Sequence, residues 1–128
     1  MILIVDDYLF LAGGLIAAAW GLAHLLPARA LKKVSGGDAK SPRPAISWVA
    51  EGFALIFIGA IVLLSVALAG TENDATRAVT WSAAAAMFAF ATVNLFIGAR
   101  ASRAVPKLSA LTEGLAGTLF LIGSFINS

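Results

Sequence analysis

The sequence has no cysteine and little charge. Without cysteine the chain can form no disulfide, no thiolate metal site and no cysteine nucleophile. Charged residues make up 12% of the chain and hydrophobic residues 60%, whereas about 25% of a soluble globular domain is charged. So little polar surface cannot cover a water-facing globule. The length of 128 residues suits a single domain, 1–128.

Several functional signatures are also missing. The sequence has no glycine-rich phosphate loop, no nucleotide fingerprint and no nucleophile motif, so it names no reaction and leaves open whether the protein is an enzyme. It identifies no cofactor. Basic residues form no stripe interleaved with aromatics, so nucleic acid is not an expected partner. Asp6 and Asp7 stand where a signal peptide would carry basic residues, so we expect the first apolar segment to be retained.

Long hydrophobic runs dominate what is present. A helix needs about 20 mainly apolar residues to cross the hydrocarbon core of a bilayer. Four segments meet this requirement, each bounded by charge, proline, glycine or the polar chain end: residues 8–26, 45–69, 78–99 and 108–126. The sequence therefore predicts an all-α integral membrane protein, with a four-transmembrane-helix bundle as its single domain and the lipid bilayer as its surroundings.

Basic residues are distributed unevenly among the loops. Segments 28–44 and 100–107 hold eight of the nine Lys and Arg residues, whereas segment 70–77 holds only Arg77. Short loops rich in Lys and Arg stay in the cytoplasm. We therefore expect a cytoplasmic linker at 28–44 and both termini on the non-cytoplasmic side of the plasma (inner) membrane.

The two halves of the chain show an internal repeat. Residues 44–52 and 106–114 both follow the pattern PxxSxxxEG, at an offset of 62. Proline suits the first turn of any helix, but a Glu-Gly pair at the same depth of two spans has no such simple cause. At an offset of 70, His24 of the first span aligns with Asn94 of the third. The sequence thus predicts two parallel two-helix repeats, related by an axis along the membrane normal.

One polar residue stands out inside each span: His24, Glu51, Asn94 and Glu113. At a rise of about 1.5 Å per residue, all four lie roughly 8–10 Å from the cytoplasmic end of their helices. Ionisable groups in lipid cost about 2.5–3.5 kcal/mol each, so they normally face the bundle interior and find partners there. We therefore expect the four residues to face one another as a ligand-binding or proton-handling site.

The predicted site favours acid–base chemistry on an amphipathic molecule. Two carboxylates in a low-dielectric site repel each other, so Glu51 and Glu113 should share one proton unless a cation intervenes. Trp20 and Phe90 each lie one helical turn from a polar residue and are predicted to form the wall of a pocket. The expected ligand is a lipid or another hydrophobic small molecule, bound or processed near the cytoplasmic leaflet.

Other interpretations stay open at the level of the sequence. The four polar residues could tie the helices together by hydrogen bonds alone. The protein could be an accessory or assembly subunit of a larger membrane complex, a homo-oligomer, or a small proton- or cation-coupled transporter. A metal site is not predicted, because one His and two Glu are too few ligands unless a dimer doubles them or Asn94 and water complete the set.

The Glu51-Gly52 pair, followed by an apolar helix that contains glycine, resembles the second helix of the DoxX-like four-helix membrane proteins. The resemblance is confined to this short segment. Neither a residue role nor an activity is transferred from it.

Overall fold

The fold is all-helical in the part of the chain described. The computed structural model describes residues 5–25, 45–101 and 104–126, with side chains for 5–25, 47–97 and 106–126. These residues form four α-helices and no strand: α1 (Val5–His24), α2 (Ala45–Ala69), α3 (Asp74–Ala101) and α4 (Ala104–Ile126). The predicted linker at 28–44 lies outside the described residues.

Each helix is long and apolar enough to cross a membrane. The qualifying segments are Val5–His24, Ser47–Ala69, Asp74–Ile97 and Pro106–Ile126. Their outward surfaces are apolar too, as Phe57, Leu68 and Leu111 are 65%, 83% and 70% exposed. A soluble monomer rarely exposes so many large apolar side chains. The prediction of four membrane-length helices is confirmed, and this architecture suggests a membrane protein.

Three helices begin earlier than their predicted spans, at residues 5, 74 and 104 instead of 8, 78 and 108. The start of α3 shows why hydropathy is a poor guide to this boundary. The backbone N–H of Ala75 donates to the side-chain oxygen of Asn73 at 2.8 Å, which caps the helix. The chain therefore becomes helical at its cap, several residues before it becomes apolar.

A short turn at residues 70–73 joins α2 to α3. Gly70 has a φ of +80°, and its N–H donates to the Val66 carbonyl at 3.0 Å. A left-handed residue with this bond is a common way to end a helix, and glycine adopts it without a steric penalty. This turn defines one end of the bundle, called the turn end below.

The helices form a ring in which α1 packs against α2 and α4, and α3 packs against α4, while α2 and α3 are in less contact. Small residues allow a very close crossing of α1 and α2. A methyl group built on Gly21 would lie 2.6 Å from the Gly52 carbonyl oxygen, and one built on Gly59 would lie 2.5 Å from the Gly14 carbonyl oxygen. Close backbone approach of this kind gives apolar helices van der Waals contact in lipid.

The centre of the bundle is an apolar core. Its largest members are almost completely inaccessible: Phe10, Leu55, Val62, Met87 and Phe120. Buried polar residues lie on either side of this core along the helices. Thr80 and Ser124 are hydrogen-bonded at 2.9 Å toward the turn end, and the four predicted polar residues lie toward the opposite end.

Candidate functional site

The structure brings the four predicted polar residues together, one from each helix. The Asn94 side-chain nitrogen donates to Glu51 Oε1 at 2.7 Å and to Glu113 Oε2 and Oε1 at 2.9 and 3.1 Å. His24 Nε2 lies 3.5 Å from Glu51 Oε1. None of the four residues is more than 4% exposed. We call His24, Glu51, Asn94 and Glu113 the polar cluster.

The local sequence explains how His24 and Glu51 come so close. His24 is the last residue of α1, and Glu51 lies in the second turn of α2. The glycine after Glu51 removes the side chain that would keep the helices apart, because a methyl group on Gly52 would lie 2.5 Å from the Cβ of His24. The second glycine of the repeat does not have this role, since a methyl group on Gly114 would meet no atom within 4 Å.

His24 is held in one ring orientation. Its Nδ1 lies 2.8 Å from the Trp20 carbonyl oxygen. Because a carbonyl oxygen only accepts, Nδ1 must carry the proton, and Nε2 is the ring nitrogen that faces Glu51. The Trp48 ring stacks on the imidazole with a centroid distance of 3.8 Å, and the Trp20 ring meets it edge-on at 5.4 Å.

Ser109 is a member of the site that the sequence analysis did not identify. Its hydroxyl donates to Glu113 Oε1 at 2.9 Å and accepts from Trp20 Nε1 at 2.9 Å. It lies four residues before Glu113, on the same face of α4, and it is the serine of the PxxSxxxEG pattern. The spacing to Glu113 was the available signal, but serine near a helix start is also explained by capping.

The aromatic surroundings differ in part from the predicted pocket wall. Trp20 contacts the polar cluster as described above. Phe90 is half-buried and packs against the apolar core. Trp48, which was not predicted, covers one face of His24 instead. A role for Trp20 or Phe90 in binding a ligand stays a prediction.

The charge balance of the polar cluster limits its possible states. With both carboxylates ionised and His24 neutral, the cluster would hold two negative charges. Among their contacts, Asn94 supplies an NH₂ group and Ser109 a hydroxyl. An uncompensated buried ion costs several kcal/mol. Uptake of a proton or another cation by the cluster would lower that cost.

The polar cluster also contains a possible set of metal ligands. His24, Glu51 and Glu113 each offer one ligand atom, and these atoms all lie within 4.8 Å of one another. Asn94 touches both carboxylates and supplies an amide to the same centre. Imidazole nitrogen and carboxylate oxygen are ligands of zinc and of similar divalent ions.

An apolar groove of about 330 Å³ lies between α2 and α3, lined by Phe57, Ile58, Ile61, Ala78, Val79, Ser82, Ala83 and Ala86. It begins about 9 Å from Glu51 along α2 and about 12 Å from Asn94 along α3, given the helical rise. The groove therefore lies closer to the turn end than the polar cluster does. It is formed by α2 and α3, which also contribute Glu51 and Asn94 to the cluster.

No protein-family model, curated protein or solved structure matches the chain. The site is therefore interpreted from its own geometry.

Proposed function

We propose that the protein is an integral membrane protein whose polar cluster binds an amphipathic small molecule or lipid and exchanges protons with its polar group. The observation that carries the proposal is the single amide of Asn94 shared by two buried carboxylates. A proton on one carboxylate and a charge on the other would make a general acid and a general base at one centre.

The contacts of the cluster support a binding role over simple helix tethering. One interhelical hydrogen bond is enough to join two helices and contributes about 1 kcal/mol or less. Here two carboxyl groups converge, which adds repulsion that a tether does not need. Side chains that are fully apolar would pack the same helices at a lower cost. The extra ionisable groups are therefore better explained by a ligand or proton that uses them.

The apolar groove between α2 and α3 suits the other part of such a ligand. It opens between the two neighbouring helices that are in least contact. An acyl or isoprenoid chain lying in this groove could extend from a polar group held near Glu51 and Asn94. The ligand class we propose is accordingly a molecule with one polar head and one flexible apolar chain.

The membrane arrangement belongs to the same proposal. The basic segments 28–44 and 100–107 support an orientation with the polar cluster near the cytoplasmic leaflet and both termini on the other side. This distribution favours a plasma (inner) membrane location. Two parallel repeats are supported by the packing of α1 against α2 and of α3 against α4, with His24 beside Glu51 in the first pair and Asn94 beside Glu113 in the second. Asn94 also bonds to Glu51 and so links the two halves.

Native mass spectrometry of the detergent-solubilised protein tests the binding proposal. We expect the wild type to retain an amphipathic molecule and the double variant Glu51→Gln/Glu113→Gln to lose it. Glutamine keeps the size and the acceptor oxygen of each side chain, so the bundle should stay folded. Glu72→Gln is the matched control, because Glu72 is exposed in the turn. Equal retention by all three proteins, or a wild type that carries nothing, would refute the proposal.

Proton- or cation-coupled transport is the second candidate, and Asp6 is the observation that favours it. Asp6 is 1% exposed, and neither of its carboxylate oxygens has a hydrogen-bond partner in the described structure. It lies toward the turn end, one helical turn from Phe10. Met87 and Phe120 separate that end from the polar cluster. If the protein is a transporter, the purified wild type should carry protons or cations across the membrane of liposomes. The variants Asp6→Asn and Glu113→Gln should each abolish this flux.

A further inference from the structure

We propose that His24, Glu51 and Glu113 bind one divalent transition-metal ion of the zinc type. The inference rests on the ligand-binding part of the proposed function, and in it the ion takes the place of the proton shared by Glu51 and Glu113. An ion at this place would attract the polar group of a bound amphipathic molecule and polarise it. One ligand atom of each residue lies within 4.8 Å of the others, and His24 Nε2, the nitrogen proposed to bind the ion, lies 3.5 Å from Glu51 Oε1.

The spacing of His24 and Glu51 is the first argument. Their atoms Nε2 and Oε1 are 3.5 Å apart, which is longer than the usual 2.7–3.2 Å of an N–H···O hydrogen bond. Two ligand atoms that each lie about 2.0–2.1 Å from one zinc ion, at a tetrahedral angle, are separated by about 3.4 Å. The observed distance matches two ligands of a shared ion, and it also matches an ion pair with a protonated imidazole. The three ligand atoms lie within 4.8 Å of one another, so they would have to come closer together when an ion binds.

The orientation of the imidazole is the second argument. The Trp20 carbonyl accepts the Nδ1 proton of His24 at 2.8 Å. Histidines that bind metal ions almost always donate their other ring N–H to a carbonyl or carboxylate in this way, which fixes the tautomer and the ring. The other ring nitrogen, Nε2, thereby faces Glu51 Oε1 at 3.5 Å.

In the absence of an ion, neighbouring side chains hold the carboxylates in place. Asn94 contacts both of them, and the Ser109 hydroxyl donates to Glu113. Such outer contacts typically change metal affinity by about 10–100-fold when they are removed. Rotation of the Asn94 amide by half a turn would present its oxygen to the same centre. With a cation bound, the rotated amide would supply its oxygen as a fourth ligand. Without a cation, that oxygen would face the carboxylate oxygens and repel them.

Charge is the third argument. Two ionised glutamates and one divalent ion sum to neutrality, so both carboxylates can remain ionised in a site that is at most 4% exposed. The ligands come from α1, α2 and α4, and Asn94 comes from α3. Binding of an ion would therefore join all four helices at one point.

Cobalt(II) titration of the purified full-length protein, first stripped with a chelator, tests the assignment without reference to activity. Cobalt in a four-coordinate site with nitrogen and oxygen ligands gives visible absorption bands that the hexahydrated ion lacks. We expect the wild type to develop these bands at one ion per chain and to lose them on addition of zinc. His24→Gln and Glu113→Gln should each weaken the affinity at least about tenfold.

Two controls keep the outcome interpretable. Glu72→Gln should bind cobalt as the wild type does, because Glu72 is exposed in the turn. Helix content and a monodisperse elution profile check that the His24 and Glu113 variants are folded, and Glu113→Gln still accepts from Asn94 and Ser109. Absence of the bands in the wild type, or equal affinity in folded variants, would overturn the metal site. Retention of an amphipathic molecule by that same metal-free protein would leave the proposed function standing.

Discussion

At the residue scale, Asn94 links the two buried carboxyl groups of the polar cluster. Its amide is in contact with two buried carboxyl groups and lies 3.5 Å from the Ser109 hydroxyl. An amide group can donate two hydrogen bonds without carrying charge of its own. It therefore holds Glu51 and Glu113 near each other while adding nothing to their repulsion. A carboxylate at this position would add a third negative charge, and an apolar residue would remove the donor.

Replacement of Asn94 by leucine tests this position. We expect the free energy of unfolding in detergent to fall by about 1–3 kcal/mol, because both carboxyl groups lose a buried donor. Addition of Glu51→Gln should recover part of the loss, since a charge is removed and an amide is supplied. Thr92→Val is the control: its hydroxyl bonds only to its own helix, on an exposed face, and it should change stability little. Additive effects of the two cluster substitutions would contradict the account.

The indole of Trp20 makes a second, smaller contribution at this scale. Trp20→Phe keeps an aromatic ring against His24 but removes the N–H that donates to Ser109 at 2.9 Å. We expect a loss of about 0.5–1.5 kcal/mol, the usual net value of one hydrogen bond. Chemical denaturation in detergent measures it. In a Ser109→Ala background, Trp20→Phe should lower the free energy of unfolding by clearly less. An equal loss in both backgrounds would show that the indole ring, and not its hydrogen bond, provides the stability.

At the scale of the helices, the two copies of the Glu-Gly pair have different surroundings. Gly52 lies where α1 and α2 cross, with His24 Cβ and the Gly21 carbonyl oxygen beside it. Gly114 lies on α4 next to open space. Of the two repeated glycines, therefore, only Gly52 allows a close approach of helices. The crossing of α1 and α2 also determines how far His24 stands from Glu51.

Alanine substitution of the two glycines should separate these roles. Gly52→Ala is expected to destabilise the protein by about 1–3 kcal/mol, because the new methyl group would force the helix backbones apart. Gly114→Ala should be neutral or slightly stabilising, since alanine has the higher helix propensity by about 1 kcal/mol. Thermal unfolding of both variants in the same detergent measures the difference. Equal effects would contradict the close crossing.

At the scale of the whole molecule, the bundle has an apolar centre between two unlike polar ends. The turn end contains neutral hydroxyls, Thr80 and Ser124, together with the carboxyl group of Asp6. The other end contains the polar cluster. In the described conformation Phe10, Met87 and Phe120 fill the route along the bundle axis from the turn end to the cluster, so transport between Asp6 and the cluster would require these side chains to move. Access is expected from the other end or from the side, between α2 and α3.

The proposed orientation can be measured directly, because the native chain has no cysteine. Single cysteines introduced at Glu72 and at Lys40 report the turn and the linker segment. A membrane-impermeant maleimide added to intact cells should label Glu72→Cys, and should label Lys40→Cys only after permeabilisation. The distribution of Lys and Arg is the reason for this expectation. If Lys40→Cys is labelled in intact cells and Glu72→Cys only after permeabilisation, the topology is the opposite of the one proposed. The polar cluster would then lie near the other leaflet.

The sequence by itself determined that the described part of the chain contains four membrane-length helices, and at which level along them the polar residues lie. Hydrophobic runs of membrane length leave a helix as the only secondary structure that satisfies its own backbone. Position along a helix converts directly into distance along its axis, so the common level of Glu51, Asn94 and Glu113 could be calculated before any contact was known. Their convergence followed from the cost of leaving polar groups in lipid.

Only the tertiary structure decided which atoms meet. The helices are apolar over most of their circumference, so the sequence does not mark the face that each one turns inward. The rotation of each helix and the order of the ring depend on close packing. Packing brought Ser109 and Trp48 into the site and directed Phe90 to the apolar core. Packing also places Gly52 at a close helix crossing, whereas a methyl group built on Gly114 would have no neighbour within 4 Å. The sequence pattern around the two glycines is the same, so it could not distinguish them.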